Sequence, residues 1–485
     1  MTSRADQQRS QGALLGLLAI LAVAALLRFA TIATQSFWLD EAVTADLMHR
    51  SFGAMLQAIW DGESSPPLYY GVAWVWTHIF GAGEAALRSL SALLGVATVP
   101  VAAAIGLRLT GRRDTALIAA ALVAVNPLLV WYGQEGRAYA LLVFLASLAL
   151  LLMLRAAESP SRGRLAAWGL VCALALGTHY FAIYVVAAQV AWLLWQRLPV
   201  RVLLIGLAPV VIAGLALAPL ALHQRGNDLA SFIRGESLAT RTAQVPKQWL
   251  IGYDGPSESL TTALALLLVL PAVFGLVTLF RSRERGPATG ALAVAAGSVL
   301  IPLCVAVVGE DQLLTRNVLG GLVAALCLLA AGYSTHSGRG RPLALAAMGA
   351  LVALWLGLVV QTAREPRYQR EDWRGAVREL GAQTGPRAVV VTPGSGGRAV
   401  RHYLQGTQEL ATGGAAVREI DWIVLDRHRS PDPAPAAIPP GFSLAGTSRT
   451  KTFAIVRLRA DAPVSLDAGA VAALGDPGAV TLVER

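Results

Sequence analysis

The sequence predicts an all-α polytopic membrane protein followed by a small C-terminal α/β domain. Composition points there first: 55% of the 485 residues are hydrophobic, only 14% are charged, and mean hydropathy is +0.56. A soluble domain carries about 25% charged residues. Patterning agrees, because apolar runs of about 18–22 residues recur through the first three quarters of the chain, each long enough to cross a hydrocarbon core about 30 Å thick. After residue 362 these runs stop and short strand-like stretches begin, which divides the chain into a membrane domain, 1–362, and a domain outside the membrane, 363–485.

The expected spans are 12–33, 85–107, 115–132, 138–154, 165–180, 181–196, 202–222, 260–280, 288–308, 313–333 and 342–362, about eleven in all. The run 66–81, "PPLYYGVAWVWTHIFG", is treated differently. It is short, opens on Pro-Pro and is rich in Trp and Tyr, which suits an interfacial or re-entrant segment. The basic loops decide the matter. If 66–81 does not cross, Arg108, Arg112, Arg113, Arg155, Arg162, Arg164, Arg197, Arg201, Arg281, Arg283, Arg285, Arg339 and Arg341 all share the side of the N-terminus. That side is the cytoplasm by the positive-inside rule. The N-terminus is then expected inside and the C-terminal domain outside a cytoplasmic membrane. The first apolar run is too long for a signal-peptide core and is read as an uncleaved span.

The net charge of +10 is therefore loop arginine rather than a nucleic-acid surface, and no nucleic-acid partner is expected. Cys172, Cys304 and Cys327 sit inside apolar runs without metal or disulfide spacing. The sequence requires no cofactor, and a divalent metal ion stays open.

Ionisable residues collect at the outer ends of the spans. The first outer loop carries Asp40, Glu41, Asp61 and Glu63; the second, "WYGQEGRAYAL", carries Glu135 and Arg137; the third carries His179 and Tyr180; the loop "GEDQLLTR" carries Glu310, Asp311 and Arg316. Arg28 and Arg88 lie near span ends. Each has an ordinary reading: a helix cap for Asp40 and Glu41, a solvated pair for Glu135 and Arg137, a packed histidine, an aromatic-belt tyrosine, a snorkelling arginine. Charges at membrane depth cost a few kcal/mol and usually face a cavity and a partner. These segments, converging on one side, read as a site. Arginine suits a phosphate, and a carboxylate suits deprotonation of a hydroxyl. A transporter would place charges near the midplane, with broken helices and inverted repeats.

Three stretches, "FWLDEAVTA", "SSPPLYYGVAWVWTHIFGAGEAALRSLSALLG" and "NPLLVWYGQEGRAYAL", resemble the bacterial GT-C glycosyltransferases, in the branch of protein O-mannosyltransferases and the aminoarabinose and galacturonic acid transferases of lipid A. The resemblance covers about residues 10–200, with "DQLLTRNVLGGLVAAL" and "YQREDWRGAVREL" similar to later family segments. It implies a GT-C fold with membrane-lying helices in the first outer loop. It also implies a polyprenyl-phosphate sugar as donor, an inverting one-step transfer, and a glycan, lipid or protein acceptor. Asp40 and Glu41 match the family's acid pair, with Asp40 as base. Glu135 and Arg137 match the acid and arginine of the second outer turn, and Arg316 the arginine at a later helix start. Glu63 precedes Pro66-Pro67, near where relatives hold the donor phosphate, although Ser64 and Ser65 stand directly before the prolines here. Donor binding is thus assigned to Glu63, Glu135, Arg137, His179, Tyr180 and Arg316. Gly133 and Gly136 stand where relatives have larger residues. A lipid-linked sugar flippase is the alternative, and a non-catalytic assembly protein a third.

In the tail, "DWRGAVREL" reads as a helix and "RAVVVTP", "DWIVLD" and "KTFAIVRLRA" as strands. The Gly-rich turn in "TPGSGGRAVRHYL" is either structural or a phosphate cradle. The outer segment 223–259 is expected to form a mobile loop on the acceptor side.

Overall fold

In the computed structural model the protein is described over residues 4–227, 233, 235–282, 285–383, 385–427, 433–476 and 478–484. Arg283 and residues 228–232 and 234 of the segment 223–259, named in the sequence analysis, lie outside the described residues. The chain divides into two compact units. One comprises residues 1–30 and 50–361, the other residues 31–49 and 362–485. Composition places a boundary near 362, but it gives no sign that residues 31–49 group with the tail.

The helices in chain order are α1 Arg4–Phe29, α2 Leu39–Met48, α3 Phe52–Gly62, α4 Leu68–Phe80, α5 Glu84–Thr110, α6 Arg113–Val125, α7 Pro127–Tyr132 and α8 Tyr139–Glu158. Then come α9 Arg162–Thr178, α10 Ala182–Trp195, α11 Val200–Gln224, α12 Leu238–Ile251, α13 Glu258–Arg281, α14 Gly286–Val307, α15 Leu322–Ser334 and α16 Gly340–Arg364. Among the described residues eight helical segments are long and apolar enough to cross a membrane. They are Ser10–Phe29, α5, α8, α11, α13, α14, Thr315–Ser334 and α16. The other three expected spans, 115–132, 165–180 and 181–196, are shorter helices of 13, 17 and 14 residues. The first is cut short at Asn126-Pro127, where proline has no N–H to continue the ladder. The chain is a multi-pass membrane protein.

The loop between α1 and α5 holds α2, α3 and α4, of 10, 11 and 13 residues, each too short to span. Within the helical unit, α8 and α15 are largely enclosed, whereas α1, α11, α13 and α16 present most of their apolar surface outward. Helices approach through small residues, as membrane packing favours. A Cβ built on Gly169 of α9 would lie 1.9 Å from the Gly206 carbonyl oxygen of α11, so only glycine fits there.

The second unit contains a six-stranded sheet: β1 Arg387–Thr392, β2 Gln408–Glu409, β3 Ala415–Leu425, β4 Ser443–Arg449, β5 Phe453–Leu466 and β6 Val480–Glu484. Their order is β2-β6-β1-β3-β5-β4, with β1 and β3 parallel and the other pairings antiparallel. The three predicted strands are β1, β3 and β5. Their inward residues Ala388, Val390, Ile420, Val456 and Leu458 form the core. Helices α17 Trp373–Leu380 and α18 Gly397–Tyr403 belong to this unit. Gly396 of the glycine-rich turn packs against the Trp373 ring, where a Cβ would come within 2.0 Å of it, so packing demands that glycine.

Candidate active site

In the helical unit, the turn 133–138 joins α7 to α8. Asn126 starts α7 as a cap, its Oδ1 accepting from the Leu129 N–H at 3.1 Å, while its Nδ2 donates to the Trp249 carbonyl at 2.9 Å. The turn then carries Glu135, 2% exposed, and Arg137. Arg28 fixes it from below. That side chain is 1% exposed and donates to the carbonyls of Ala124 at 2.8 Å and Val123 at 3.3 Å. These carbonyls belong to the last turn of α6 and have no partner further along the helix. The Arg28 stem lies in a slot between Gly95 and Gly133, where a Cβ would come within 2.6 and 2.9 Å of Nε. Gln134 Nε2 adds a bond to the Leu27 carbonyl at 2.7 Å. Gly133 therefore makes room for Arg28, which holds the turn.

Arg137 meets Glu63 at 3.4 Å, with both side chains about a tenth exposed, and its Cζ lies 5.7 Å from the Tyr70 ring centroid. Tyr70 is hydrogen-bonded to Glu63. Burial, with the Glu63 carboxylate adding to it, holds the Tyr70 phenol well above its usual pKa. His179 follows the end of α9, is 6% exposed, and packs on the Tyr139 and Phe181 rings at 5.4 and 5.1 Å. Its Nδ1 accepts from the Phe181 N–H at 3.3 Å. Arg137 and Arg316 both act electrostatically on His179. Glu135 and Arg316 both act on Tyr253, whose hydroxyl bonds that of Tyr132. The structure thus brings Glu63, Glu135, Arg137, His179 and Arg316 into one electrostatic neighbourhood. Tyr180 is turned elsewhere: its hydroxyl donates to Gln224 Oε1 at 2.8 Å, and Gln224 Nε2 donates to the Ile59 carbonyl at 2.7 Å.

Tyr70, Tyr132 and Tyr253 are additions that sequence reasoning missed. Their signal, aromatic residues beside Pro66-Pro67 and in "IGYDG", is shared by any interfacial tyrosine. A second addition is Arg241 of α12, 3% exposed. It grips Asp311 with both terminal nitrogens, Nη1 at 2.8 Å, and donates to the Leu313 carbonyl at 2.8 Å. That grip sets the start of the segment carrying Arg316. Hydrogen bonding to Arg241 pulls the Asp311 carboxyl below its ordinary pKa. Val245 of the same helix shares a small core with Leu313 and Val318. Residues 238–251 are therefore an anchored helix, which corrects the expectation of a mobile loop there.

Asp40 and Glu41 occupy the first turn of α2, in the second unit. Consecutive helical residues point about 100° apart, and here their environments differ. Glu41 is fully buried, with Oε2 3.5 Å from the Trp38 N–H, whereas Asp40 is half-buried. The segment leading to them is stitched to the tail. The Phe37 N–H donates to Tyr403 Oη at 2.7 Å, Ser36 Oγ to the Glu371 carbonyl at 2.8 Å, and the Arg370 N–H to Gln35 Oε1 at 3.0 Å. Arg374 Nη2 reaches the carbonyls of Ala33 and Thr34. Asp372 caps α17 by accepting from the Gly375 N–H at 3.0 Å, and Trp373 packs on Phe453. Among the described residues no group of three or more His, Cys, Asp or Glu side chains is placed to hold a metal ion.

These features define a multi-pass membrane protein with buried arginine and carboxylate groups gathered at one end of its helices. Residues 64–223 match the family model described as dolichyl-phosphate-mannose-protein mannosyltransferase. The chain resembles ArnT from Cupriavidus metallidurans in the apo state, with a TM-score of 0.59 at 14% identity over 91% of this chain and 97% of that one. The same protein bound to undecaprenyl phosphate gives 0.56 at 14% identity, with the same coverage. The oligosaccharyltransferase AglB from Archaeoglobus fulgidus, in complex with an inhibitory peptide and a dolichol-phosphate, gives 0.53 at 12% identity over 85% of this chain and 69% of that one. A sequence search of curated proteins returns no match. The fold is GT-C.

Proposed function

We propose that the protein is a glycosyltransferase that moves a sugar from a polyprenyl phosphate to an acceptor hydroxyl at the extracytoplasmic face of a cytoplasmic membrane. The observation that carries this reading is the largely buried Arg137 guanidinium, 3.4 Å from Glu63 and 5.7 Å from the Tyr70 ring centroid. A guanidinium with acidic and phenolic neighbours suits a lipid phosphate. The family match over 64–223 and the GT-C fold support a transferase over a flippase.

In the proposed reaction the acceptor oxygen attacks the anomeric carbon as the bond from that carbon to the phosphate oxygen breaks. Polyprenyl phosphate leaves with the bonding electrons, and the hydroxyl proton passes to a carboxylate. A single displacement inverts the anomeric centre. Asp40 is assigned as the base because it is the less buried of the acid pair, and Glu41 as the residue that holds the start of α2. Arg137 and Arg316 bind the donor phosphate, with Glu63 and Tyr70 orienting Arg137. Glu135 and His179 are assigned to the donor side, and Tyr180, bonded to Gln224, is left out of it. The test is consumption of polyprenyl-phosphate sugar by purified protein in detergent. A transferase releases polyprenyl phosphate without a closed compartment, whereas a flippase shows activity only in sealed vesicles. Supplying mannose, arabinose, glucose and galacturonic acid donors in turn identifies the sugar.

A further inference from the structure

A cleft of about 470 Å³ opens at the far end of α8 from Arg137. The 20 residues of α8, at 1.5 Å each, put about 30 Å between the two ends, a membrane's thickness. The end of α5 supplies Arg108, the end of α8 supplies Leu152, Arg155 and Glu158, and the start of α9 supplies Arg164 and Ala167. Three guanidiniums against one carboxylate leave two positive charges. Arg108 is paired with Glu158. The Arg164 side chain donates to the Ser159 carbonyl at 2.8 Å, and among the described residues neither it nor the Arg155 side chain has an ion pair. Two guanidinium forks are thus left for an anion, beside an apolar wall of Leu152 and Ala167.

We infer that this cleft binds the headgroup phosphate of an anionic phospholipid. Guanidinium forks match phosphate oxygens. The cleft lies where membrane-spanning helices end, and basic pockets between such helices on the cytoplasmic side are suited to acidic headgroups. The outward residues Leu107 and Leu170, next along α5 and α9, are 41% and 56% exposed, as lipid-facing side chains are. A free phosphate would use the forks but not the apolar wall. The site is independent of the reading given to Arg137.

The test titrates full-length protein in neutral detergent with dioleoylphosphatidylglycerol, dioleoylphosphatidylcholine or inorganic phosphate, and counts bound lipid by native mass spectrometry. Phosphatidylglycerol is expected to bind and phosphatidylcholine not. Arg155→Ala/Arg164→Ala should weaken phosphatidylglycerol about tenfold or more, at roughly 1 kcal/mol per arginine. Arg281→Ala/Arg285→Ala, the same charge change elsewhere among the basic loops, should leave it unchanged. Arg155→Gln alone serves if the double variant does not fold, and should still weaken binding several-fold. Unchanged affinity in the cleft variants, an equal loss in the control pair, or equal binding of phosphatidylcholine overturns the site. Displacement of the lipid by millimolar inorganic phosphate overturns the assignment to lipid.

Discussion

The Arg28 side chain fills the space that a side chain at position 133 would need, with Nε 2.9 Å from where a Gly133 Cβ would stand. Gly133→Ala should therefore be destabilising, by about 1–3 kcal/mol as overpacking usually is, and should weaken donor binding through the turn that carries Glu135 and Arg137. Arg28→Ala removes the obstacle but strips the α6 carbonyls of their donor, at about 1–3 kcal/mol. The double variant should then be less destabilised than the sum of the two, because the clash is gone. Thermal unfolding of the four proteins in one detergent checks this; strict additivity would show that Arg28 and Gly133 do not meet.

Arg137 makes a second measurable case. Its loss removes a charged hydrogen-bond donor from the proposed phosphate site and leaves Glu63 buried without that partner. Arg137→Ala should weaken donor binding about 10- to 100-fold, and Arg137→Lys should recover only part, since an ammonium lacks the fork. Equilibrium binding of polyprenyl phosphate is the readout. Unchanged affinity in Arg137→Ala would remove this residue from the phosphate site.

What was legible in the sequence was whatever depends on neighbours along the chain. Apolar runs gave the long helices, and "RAVVV" and "DWIVL" gave the central strands, because length and local pattern decide both. Glu135, Arg137, His179 and Arg316 stood out because charge at a span end is costly. Hydropathy did not register the break at Asn126-Pro127, since an apolar run looks the same with or without a bend. Arg28 was seen only as a residue near a span end, because its partner carbonyls lie 95 and 96 positions away. The grouping of residues 31–49 with the tail was hidden for the same reason: Gln35 and Ser36 find partners 335 positions on.

The Arg241–Asp311 pair predicts a pH dependence. Asp311 titrates lower in the folded protein than in the unfolded chain, because Arg241 stabilises its charged form. Its contribution to stability is therefore full above the unfolded carboxylate value, near pH 4, and is lost as pH falls through the lower folded value. The wild type should exceed Asp311→Asn in stability by a constant margin from pH 7 to about 5, and that margin should shrink below about pH 4. Unfolding midpoints across this range provide the measurement; a margin that grows on acidification would contradict the pairing.

Tyr403 and Phe37 test what the tail does for the first loop. Tyr403→Phe deletes only the hydroxyl that accepts from the Phe37 N–H. Stability should fall by about 1 kcal/mol, and limited proteolysis should cut more readily within residues 31–49. On the proposed mechanism kcat should fall while donor affinity stays, because the change touches the segment leading to Asp40 and spares Arg137. Equal losses in kcat and donor affinity would indicate general destabilisation instead.

The acid pair itself is the sharpest test. Asp40 and Glu41 adjoin in sequence, yet Glu41 is fully enclosed near the start of α2 while Asp40 is half-buried. A base must reach an acceptor hydroxyl within about 3 Å, which an enclosed carboxylate does less readily. Asp40→Asn preserves shape, removes the charge and leaves the proton of the attacking hydroxyl without a destination. Transfer should drop by about 10²–10⁴-fold, with folding and polyprenyl-phosphate binding retained. Glu41→Gln should act differently: it weakens the acceptor near the Trp38 N–H, so stability falls and turnover declines only in step with the folded fraction. Turnover and lipid binding measured on the same folded fraction separate the two effects. If Asp40→Asn works normally while Glu41→Gln is inactive though folded, the roles are reversed. If both turn over normally, these carboxylates serve only to begin α2, and the base must be sought elsewhere.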